Sequence, residues 1–553
     1  MSLNNQEPGM DKNFLIAMLL SMLVIMGYPM FMKWIAPPPA DETVQTEETI
    51  LRPNTPEREV LPLEVSEKPA IGTLAPPTVV EFENDLYSIR FSTLGAAVIR
   101  LHYKGVESHG KKNDTVFYDG ENTQPGIFGV RFGNDEDDLT QKIFDVKKEE
   151  NSSQVVEFVI EKPDEYRLTK RYIMESDQPA IHLTLVVENL SPREKHFPVE
   201  LINGMQVDLA DPLHTSDNEA VAWTDKVESA KLDRIAKKGY AITGETMWTG
   251  LIKKYFAILT DPGWKSIAFE AKSEADVIWT NTKMEPITIP SGGSVERNIL
   301  IFAGPQQYET LKSFKLGLEN ILSKGFFGLF KVWLLLVLKF LNHYTHNYGV
   351  AIILLTLLIK GLFAPLTHIS YKSMKKMQVI QPKLKALQER YKKDPEKLNR
   401  ETMELFKRNR VNPMAGCLPM LVQMPILLAM FRLLPEAIEL KGAPFMWWIQ
   451  DLSQPDRFAM LPFTIPFLGW QALNLLPVLM ILTQFWYQKV TPQVGTSPEQ
   501  AKMMNFMPVF FGFICYNMSS GLVLYWIVQN LLSIIQQVFV NRIVVVLHHE
   551  DRE

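Results

Sequence analysis

A lysine, Lys360, stands near the middle of an otherwise apolar run from Gly349 to Ile369. At the centre of a membrane helix such a charge costs roughly 3 kcal/mol on insertion scales, and intramembrane cations are retained as a rule for function. Thr356 lies one helical turn earlier, on the same face. The competing account is a lysine that snorkels to the headgroups from a tilted helix; the depth of Lys360 favours a cation that attracts acidic or polar groups. A second polar feature occupies the last apolar run, where Trp526, Gln529, Asn530, Ser533, Gln536 and Gln537 recur every three to four residues and so share one helix face. Gln423, Gln484 and Gln488 add amides in two further runs. Any one of these groups is equally accounted for by hydrogen bonds that hold a helix bundle together. The stripe as a whole, with Lys360, points to a wet cavity inside such a bundle.

A third feature is basic. Between His368 and Asn412 thirteen lysines and arginines face five acidic residues, a net charge of +8 within a chain of net −5. Lys375, Lys376, Lys383, Lys385, Arg390 and Lys392 lie in its first half, where Met374, Met377, Gln381, Leu384, Leu387 and Tyr391 mark one helical stripe. Asp394-Pro395 supplies an N-cap and a first-turn proline for a second helix. This predicts a helical hairpin with a basic surface suited to ribosomal RNA or anionic lipid. Charge alone is equally explained by a solvated positive loop, but the amphipathic order is not.

These residues need a scaffold, and hydropathy describes it. Although mean hydropathy is near zero over 553 residues, the apolar residues are concentrated at Phe14 to Met32 and again between Gly349 and Val540. The first run, followed by Trp34 and three prolines without a small-residue cleavage site, is expected to be an uncleaved anchor at 10–33. Residues 36–78, rich in Pro, Glu and Thr, read as a flexible linker. Two-residue alternation, as in Tyr87, Ile89 and Phe91 or Ile181, Leu183, Leu185 and Val187, then predicts half-buried antiparallel strands. The expectation is an all-β sandwich over 80–304, closed by a helix at 305–322. Phe326 to Leu341 is apolar but interrupted by Lys331 and Lys339 and shorter than the roughly 20 residues a span needs. An interfacial amphipathic helix at 326–345 is expected there. Five spans follow, at 349–369, 414–435, 473–488, 503–517 and 520–540, the last four making up 414–540, with a tail at 541–553. The fold class is therefore a membrane α-helical bundle of six spans plus a large all-β sandwich domain.

The net-positive hairpin at 370–412 orients the bundle, because short basic loops stay cytoplasmic. The β-domain is then outside, which for a Gram-negative cell is the periplasm, and both termini are inside. Cys417 and Cys515 both fall in apolar runs and build no disulfide framework. No phosphate-binding loop, H-E-x-x-H motif or metal-spaced Cys/His cluster occurs. No cofactor, nucleotide hydrolysis or DNA binding is expected. Among 25 methionines, several such as Met420, Met424 and Met507 lie near the inferred cytoplasmic side, where flexible thioethers suit varied apolar clients or simply fill the core.

The stretch Asn412-Pro413-Met414-Ala415-Gly416-Cys417-Leu418-Pro419-Met420-Leu421-Val422-Gln423-Met424-Pro425-Ile426 resembles the third-span signature of the YidC/Oxa1/Alb3 insertase family. Pro444 to Leu452, with Trp447, Trp448 and Asp451, and Ser520 to Trp526 fit the same family. The resemblance covers 345–540 strongly, and the β-domain, around Trp248, Tyr255 and Phe256, more weakly. It implies a non-enzymatic machine that inserts and helps fold integral membrane proteins, alone or beside the Sec translocon. Its five-span core would hold a hydrophilic groove open to the cytoplasm and the lipid. The resemblance places Lys360, Thr356, Tyr525 and Trp526 at that groove, where the amide and hydroxyl groups of Gln423, Gln488, Gln529 and Ser533 are expected to join them, and Met424, Pro425 and Phe506 on the client-contacting surface. It also implies nascent membrane proteins, the ribosome and membrane lipids as partners. Lys360 stands where the family usually has arginine, which keeps the charge but not the planar five-donor fork. Ser519 replaces a common proline, and the tail lacks the long basic extension that some members use to hold ribosomes.

Two rival classes remain. A secondary transporter or channel would use Lys360 in a solute pathway, but no inverted repeat is visible and the hairpin would have no use. A membrane hydrolase pairing Ser519 or Ser520 with Lys360 would require groups at a membrane edge and at mid-depth to meet.

Overall fold

The computed structural model describes residues 76–550, apart from short stretches at 106, 109–110, 113, 122–125, 133–137, 148–153, 208–216, 392–393, 410–417, 465–469 and 492–497. The expected anchor at 10–33, nearly all of the linker at 36–78 and part of the signature stretch, Asn412 to Cys417, lie outside the described residues. The chain divides into two bodies, a larger one holding 77–376, 413–492 and 506–553, and a second that includes 377–412 and 493–505.

In the larger body, the alternating segments become antiparallel strands. A nine-stranded sheet runs in spatial order Val227–Lys231, Asn218–Trp223, Trp248–Lys253, Phe256–Asp261, Ser294–Pro305, Ala180–Asn189, Tyr166–Met174, Val155–Lys162 and Asp145–Lys147. Its central register pairs Leu183 with Ile299 on one side and with Tyr172 on the other. A five-stranded sheet (Tyr240–Thr243, Ser266–Glu274, Val277–Met284, Val199–Gln206, Gly129–Phe132) and a four-stranded sheet (Val79–Glu83, Tyr87–Ser92, Ala97–Tyr103, Thr115–Asp119) complete the domain. All three bury side chains in one core, in which Phe91 lies 4.9 Å from Tyr172 and 5.8 Å from Phe158, ring centre to ring centre.

One core-facing position carries a lysine. Lys170 is in phase with Leu168 and Tyr172 and is wholly buried. Its ammonium donates to the carbonyls of Gly95 (3.1 Å), Ala96 (2.7 Å) and Phe128 (3.0 Å) and lies 5.5 Å from the Tyr172 ring centre.

The helix expected at 305–322 is two pieces, a helix at Tyr308–Ser313 and a 3₁₀ turn at Leu318–Ser323. Lys315 and Gly317, at φ 58° and 69°, break the ladder between them. Gly317 sits under Trp223, so a Cβ there would fall 1.9 Å from Cζ3 of the indole. Gly317→Ala combines a left-handed alanine with overpacking and is expected to cost about 3 kcal/mol, read as a lowered thermal midpoint of the purified protein.

The helices of the core follow: α1 (Gly328–Thr345), α2 (Tyr348–Arg390), α3 (Pro395–Arg408), α4 (Leu418–Glu436), α5 (Leu475–Val490), α6 (Pro498–Ile514) and α7 (Ser520–Glu550). Their ends follow local chemistry. The Asn347 side chain accepts from Val350 N at the start of α2, and His346 closes α1 at φ 52°. Asp394 accepts from Lys397 N with Pro395 at the first helical position of α3, as the sequence pattern predicts. α1, α2, α4, α5 and α7 share a second core containing Leu334, Ile352, Leu355, Met430, Leu433, Met480 and Leu522. A Cβ on Gly512 of α6 would meet Ile481 of α5 at 2.2 Å, so these two helices touch where the side chain is missing. Among the described residues, Tyr348–Ser370 and Ser520–Phe539 are long and apolar enough to cross a membrane.

In the second body, Ile380 and Leu384 of α2 are buried while Lys383, Lys385 and Arg390 are exposed. Arg390 and Lys397 both lie within 6 Å of the Tyr391 ring centre. The side chain of Lys375 and all of Lys392 lie outside the described residues.

Candidate functional site

Helical spacing puts Thr356, Lys360 and Thr367 on one flank of α2, because residues three to four apart stack along a helix. The polar stripe of α7 meets that flank. Lys360 Nζ donates to Ser533 Oγ at 2.8 Å, and Ser533 Oγ donates in turn to the carbonyl of Gln529 at 2.7 Å. One turn further, Gln536 Nε2 donates to Thr367 Oγ1 at 2.5 Å. Two other helices close on the same stripe. Gln423 of α4 donates to the Tyr525 hydroxyl at 2.7 Å. Trp526 donates to Gln484 of α5 at 3.3 Å, and Asn530 to Thr483 at 3.3 Å. The Trp526 ring packs 5.4 Å from Phe511 of α6.

Not every expected residue joins this network. Thr356 is fully buried and donates to Ile352 O, its own helix at the preceding turn. It is committed to the backbone and has no free donor to offer a guest. Gln488 is half-buried on α5, four residues beyond Gln484. Met424 and Pro425 are half-buried on α4, where Pro425 removes a ladder hydrogen bond from the helix interior. Phe506 is exposed on α6 and Lys376 is exposed on α2. Thr483 and Thr367 are network members that reading by residue type passed over. Thr367 was discoverable, since it lies seven residues beyond Lys360 and therefore two turns along the same face.

The electrostatics are unbalanced. Lys360 is partly buried, and its hydrogen-bond partner is a neutral hydroxyl; among the described residues no carboxylate lies within ion-pair distance. The Oε1 atom of Gln529 is buried and accepts no hydrogen bond from any described residue. Where the α7 stripe meets the flank of α2, a cation without a counter-charge and an amide oxygen without a donor among the described residues lie one turn apart on either side of Ser533, groups that can stabilise an anionic or hydrogen-bonding guest.

The far end of the bundle is closed by the loop at 437–474. Its Leu452 O and Gln454 O accept from Gly521 N and Ser520 N at the start of α7. The Asp456 carboxylate accepts from Leu475 N (2.8 Å), Leu476 N (3.1 Å) and Trp448 Nε1 (2.9 Å), capping α5 from nineteen residues upstream. Asp456→Ala removes the one carboxylate that accepts from all three donors and is expected to cost about 2 kcal/mol; a lower melting temperature with unchanged helix content would register it. The loop also touches the β-domain, where the Tyr255 hydroxyl donates to Ser453 Oγ at 3.0 Å and Lys441 lies 4.8 Å from the Phe256 ring centre. Burial beside Ser453 pushes the Tyr255 phenol up to about 12.

Residues 340–547 match the family described as 60Kd inner membrane protein, and residues 79–337 match the YidC periplasmic domain. Relatives named membrane protein insertase YidC include one from Syntrophus aciditrophicus, 34% identical with 96% of this chain and 100% of the relative covered. Another, from Geotalea uraniireducens, is 34% identical over 96% of this chain and 99% of its own length. Among solved structures, an active YidC insertase with its first transmembrane domain resolved is 18% identical, covering 84% of this chain and 94% of that one, at a TM-score of 0.35.

Proposed function

The chain belongs to the YidC family of membrane protein insertases, with a periplasmic β-sandwich domain and an inner-membrane core, and we propose that it inserts its clients through the recess around Lys360. The observation that carries this reading is a half-buried lysine in an apolar helix whose partner is the neutral hydroxyl of Ser533. A charge left uncompensated at that depth destabilises the resting bundle, and a client's acidic or polar extracytoplasmic segment relieves it. Held by Lys360 and hydrogen-bonded by Gln529, Gln423 and Tyr525, beside Ser533 and Trp526 whose own donors already brace the bundle, that segment crosses a shortened hydrophobic path. The client's apolar segment meanwhile moves past Met424, Pro425 and Phe506 into lipid. Each central Leu, Ile, Phe or Val contributes about −0.3 to −0.6 kcal/mol to that transfer, so partitioning replaces nucleotide hydrolysis as the drive. Thr356 supports the recess wall and does not contact the client.

The same reading gives the chain six spans, with the hairpin and both termini cytoplasmic. Lys383, Lys385 and Arg390, exposed on the hairpin, with Lys375, Lys376 and Lys392, then form the basic face that meets the ribosome or anionic lipid headgroups, and clients arrive from the ribosome or from the Sec translocon. A single cysteine at Ser533 or Gln529, in a background with Cys417 and Cys515 replaced, tests the recess. It should react with a membrane-impermeant maleimide from the cytoplasmic side and crosslink to a stalled nascent client. Protection of both positions from the reagent, with no crosslink, would refute a water-filled client groove.

A further inference from the structure

We infer that the loop at 437–474, besides closing the end of the bundle, inserts its exposed aromatic side into the outer leaflet of the phospholipid bilayer. The loop caps the N-terminal ends of α5 and α7, follows the C-terminal end of α4, and takes the Asn347 amide at the start of α2 on Phe445 O at 3.0 Å. Its height is therefore that of the ends of these helices. One side, through Lys441, Ser453 and Gln454, faces the β-domain. The opposite chemistry is solvent-exposed: Trp447 is 78% exposed, Met460 65% and Phe463 62%, with Met446 and Phe458 about half so.

This exposure is built rather than incidental. Trp447 is held at φ 53°, a conformation that a bulky side chain adopts only where its surroundings impose it. Its indole stacks on Trp448, 5.8 Å away and 17° from parallel, and Trp448 is itself fixed by Asp456 and by Phe458. The short ladder Ala459–Met460 to Ala472–Leu473 stiffens the strip that presents Met460. Among the described residues of the loop, the exposed charge is one cation, Arg457, and no exposed carboxylate occurs. An exposed tryptophan and an exposed arginine in one loop at the end of a helix bundle match the headgroup and upper acyl region of a bilayer, where the ring is half-dissolved and the guanidinium meets phosphate. A water-facing loop between two domains would have no such composition. Since the same loop receives Tyr255, lipid contact fixes the height of the β-domain above the membrane.

Spin labels test this in the full chain in proteoliposomes of phosphatidylethanolamine and phosphatidylglycerol, with Cys417 and Cys515 replaced by serine. Labels are placed by Met460→Cys, Phe463→Cys and, as an aqueous reference, Met247→Cys, which is 57% exposed on the β-domain. Accessibility to oxygen relative to a water-soluble nickel chelate should be several-fold higher at positions 460 and 463 than at 247. Equal ratios at all three positions would put the loop in water and overturn the inference. Labels at 460 and 463 that neither quencher reaches would instead mark a protein contact and overturn it equally.

Discussion

Lys170→Ala is expected to destabilise the β-domain by roughly 4 kcal/mol, more than any surface change in the chain. The lysine supplies three donors to three carbonyls that no water reaches. The Tyr172 hydroxyl also reaches Ala96 O and Phe128 O, at 2.8 and 3.3 Å, so two of these acceptors keep a partner after the substitution. Gly95 O loses its side-chain donor, and the missing alkyl chain leaves a cavity; an orphaned buried acceptor costs about 1–3 kcal/mol and a cavity of this size adds a comparable amount. Lys170→Met fills the space and should recover the cavity part only. Burial pushes the Lys170 amine down to about 7 from 10.5. Below pH 7 the folded and unfolded chains both carry the proton, and stability through this group does not vary. Between about 7 and 10.5 the unfolded chain holds a proton that the folded domain has lost, so stability climbs with pH, by at most about 1.4 kcal/mol per unit. Pulse proteolysis of the full chain across pH 7 to 9.5 should show that climb in the wild type and its loss in Lys170→Met. A wild-type profile with no slope over that range would show that the amine keeps its charge throughout.

Lys360→Met is expected to do two opposite things. It removes a charge that costs roughly 2.5–3.5 kcal/mol at the centre of a membrane helix, so the purified protein should melt at a higher temperature. It also removes the attraction for acidic client segments. Two unit charges 4 Å apart attract by about 4 kcal/mol at an effective dielectric constant of 20, and each 1.4 kcal/mol is a factor of ten. That is nearly a thousandfold as an upper bound, so insertion of an acidic-tailed client should fall by between about tenfold and a thousandfold, while a client with a neutral tail changes little. A stabler protein that inserts both clients normally would separate the buried charge from the function.

Periodicity made much of this architecture legible. Two-residue alternation located Tyr87–Ser92 and Ala180–Asn189 as strands, and three-to-four spacing placed Lys360 and the α7 stripe on helix faces. Asp394-Pro395 announced the start of α3 because a cap is a contact between near neighbours. What was not legible depends on contacts distant in sequence. The pairing of Lys360 with Ser533 and of Gln423 with Tyr525 is set by the rotation of each helix about its axis, which spacing within one helix does not specify. Asp456 caps a helix nineteen residues away, across a loop without a local turn signal. Lys170 lies in phase with inward-facing Leu168 and Tyr172, yet its type reads as a surface residue, because the three carbonyls that accept it come from turns far earlier in the chain. The break at Gly317 follows from the Trp223 ring beneath it, again a contact that no local pattern announces.

The central claim, that the Lys360 charge draws the client into the membrane, is tested most directly by reconstitution. A short single-span client with an acidic extracytoplasmic tail is presented to proteoliposomes containing only this protein as wild type, Lys360→Ala or Lys360→Arg. Insertion by the wild type and the arginine variant with failure of the alanine variant is the predicted result. Equal insertion by the alanine variant would contradict it and leave the apolar surface of the bundle as the agent of insertion.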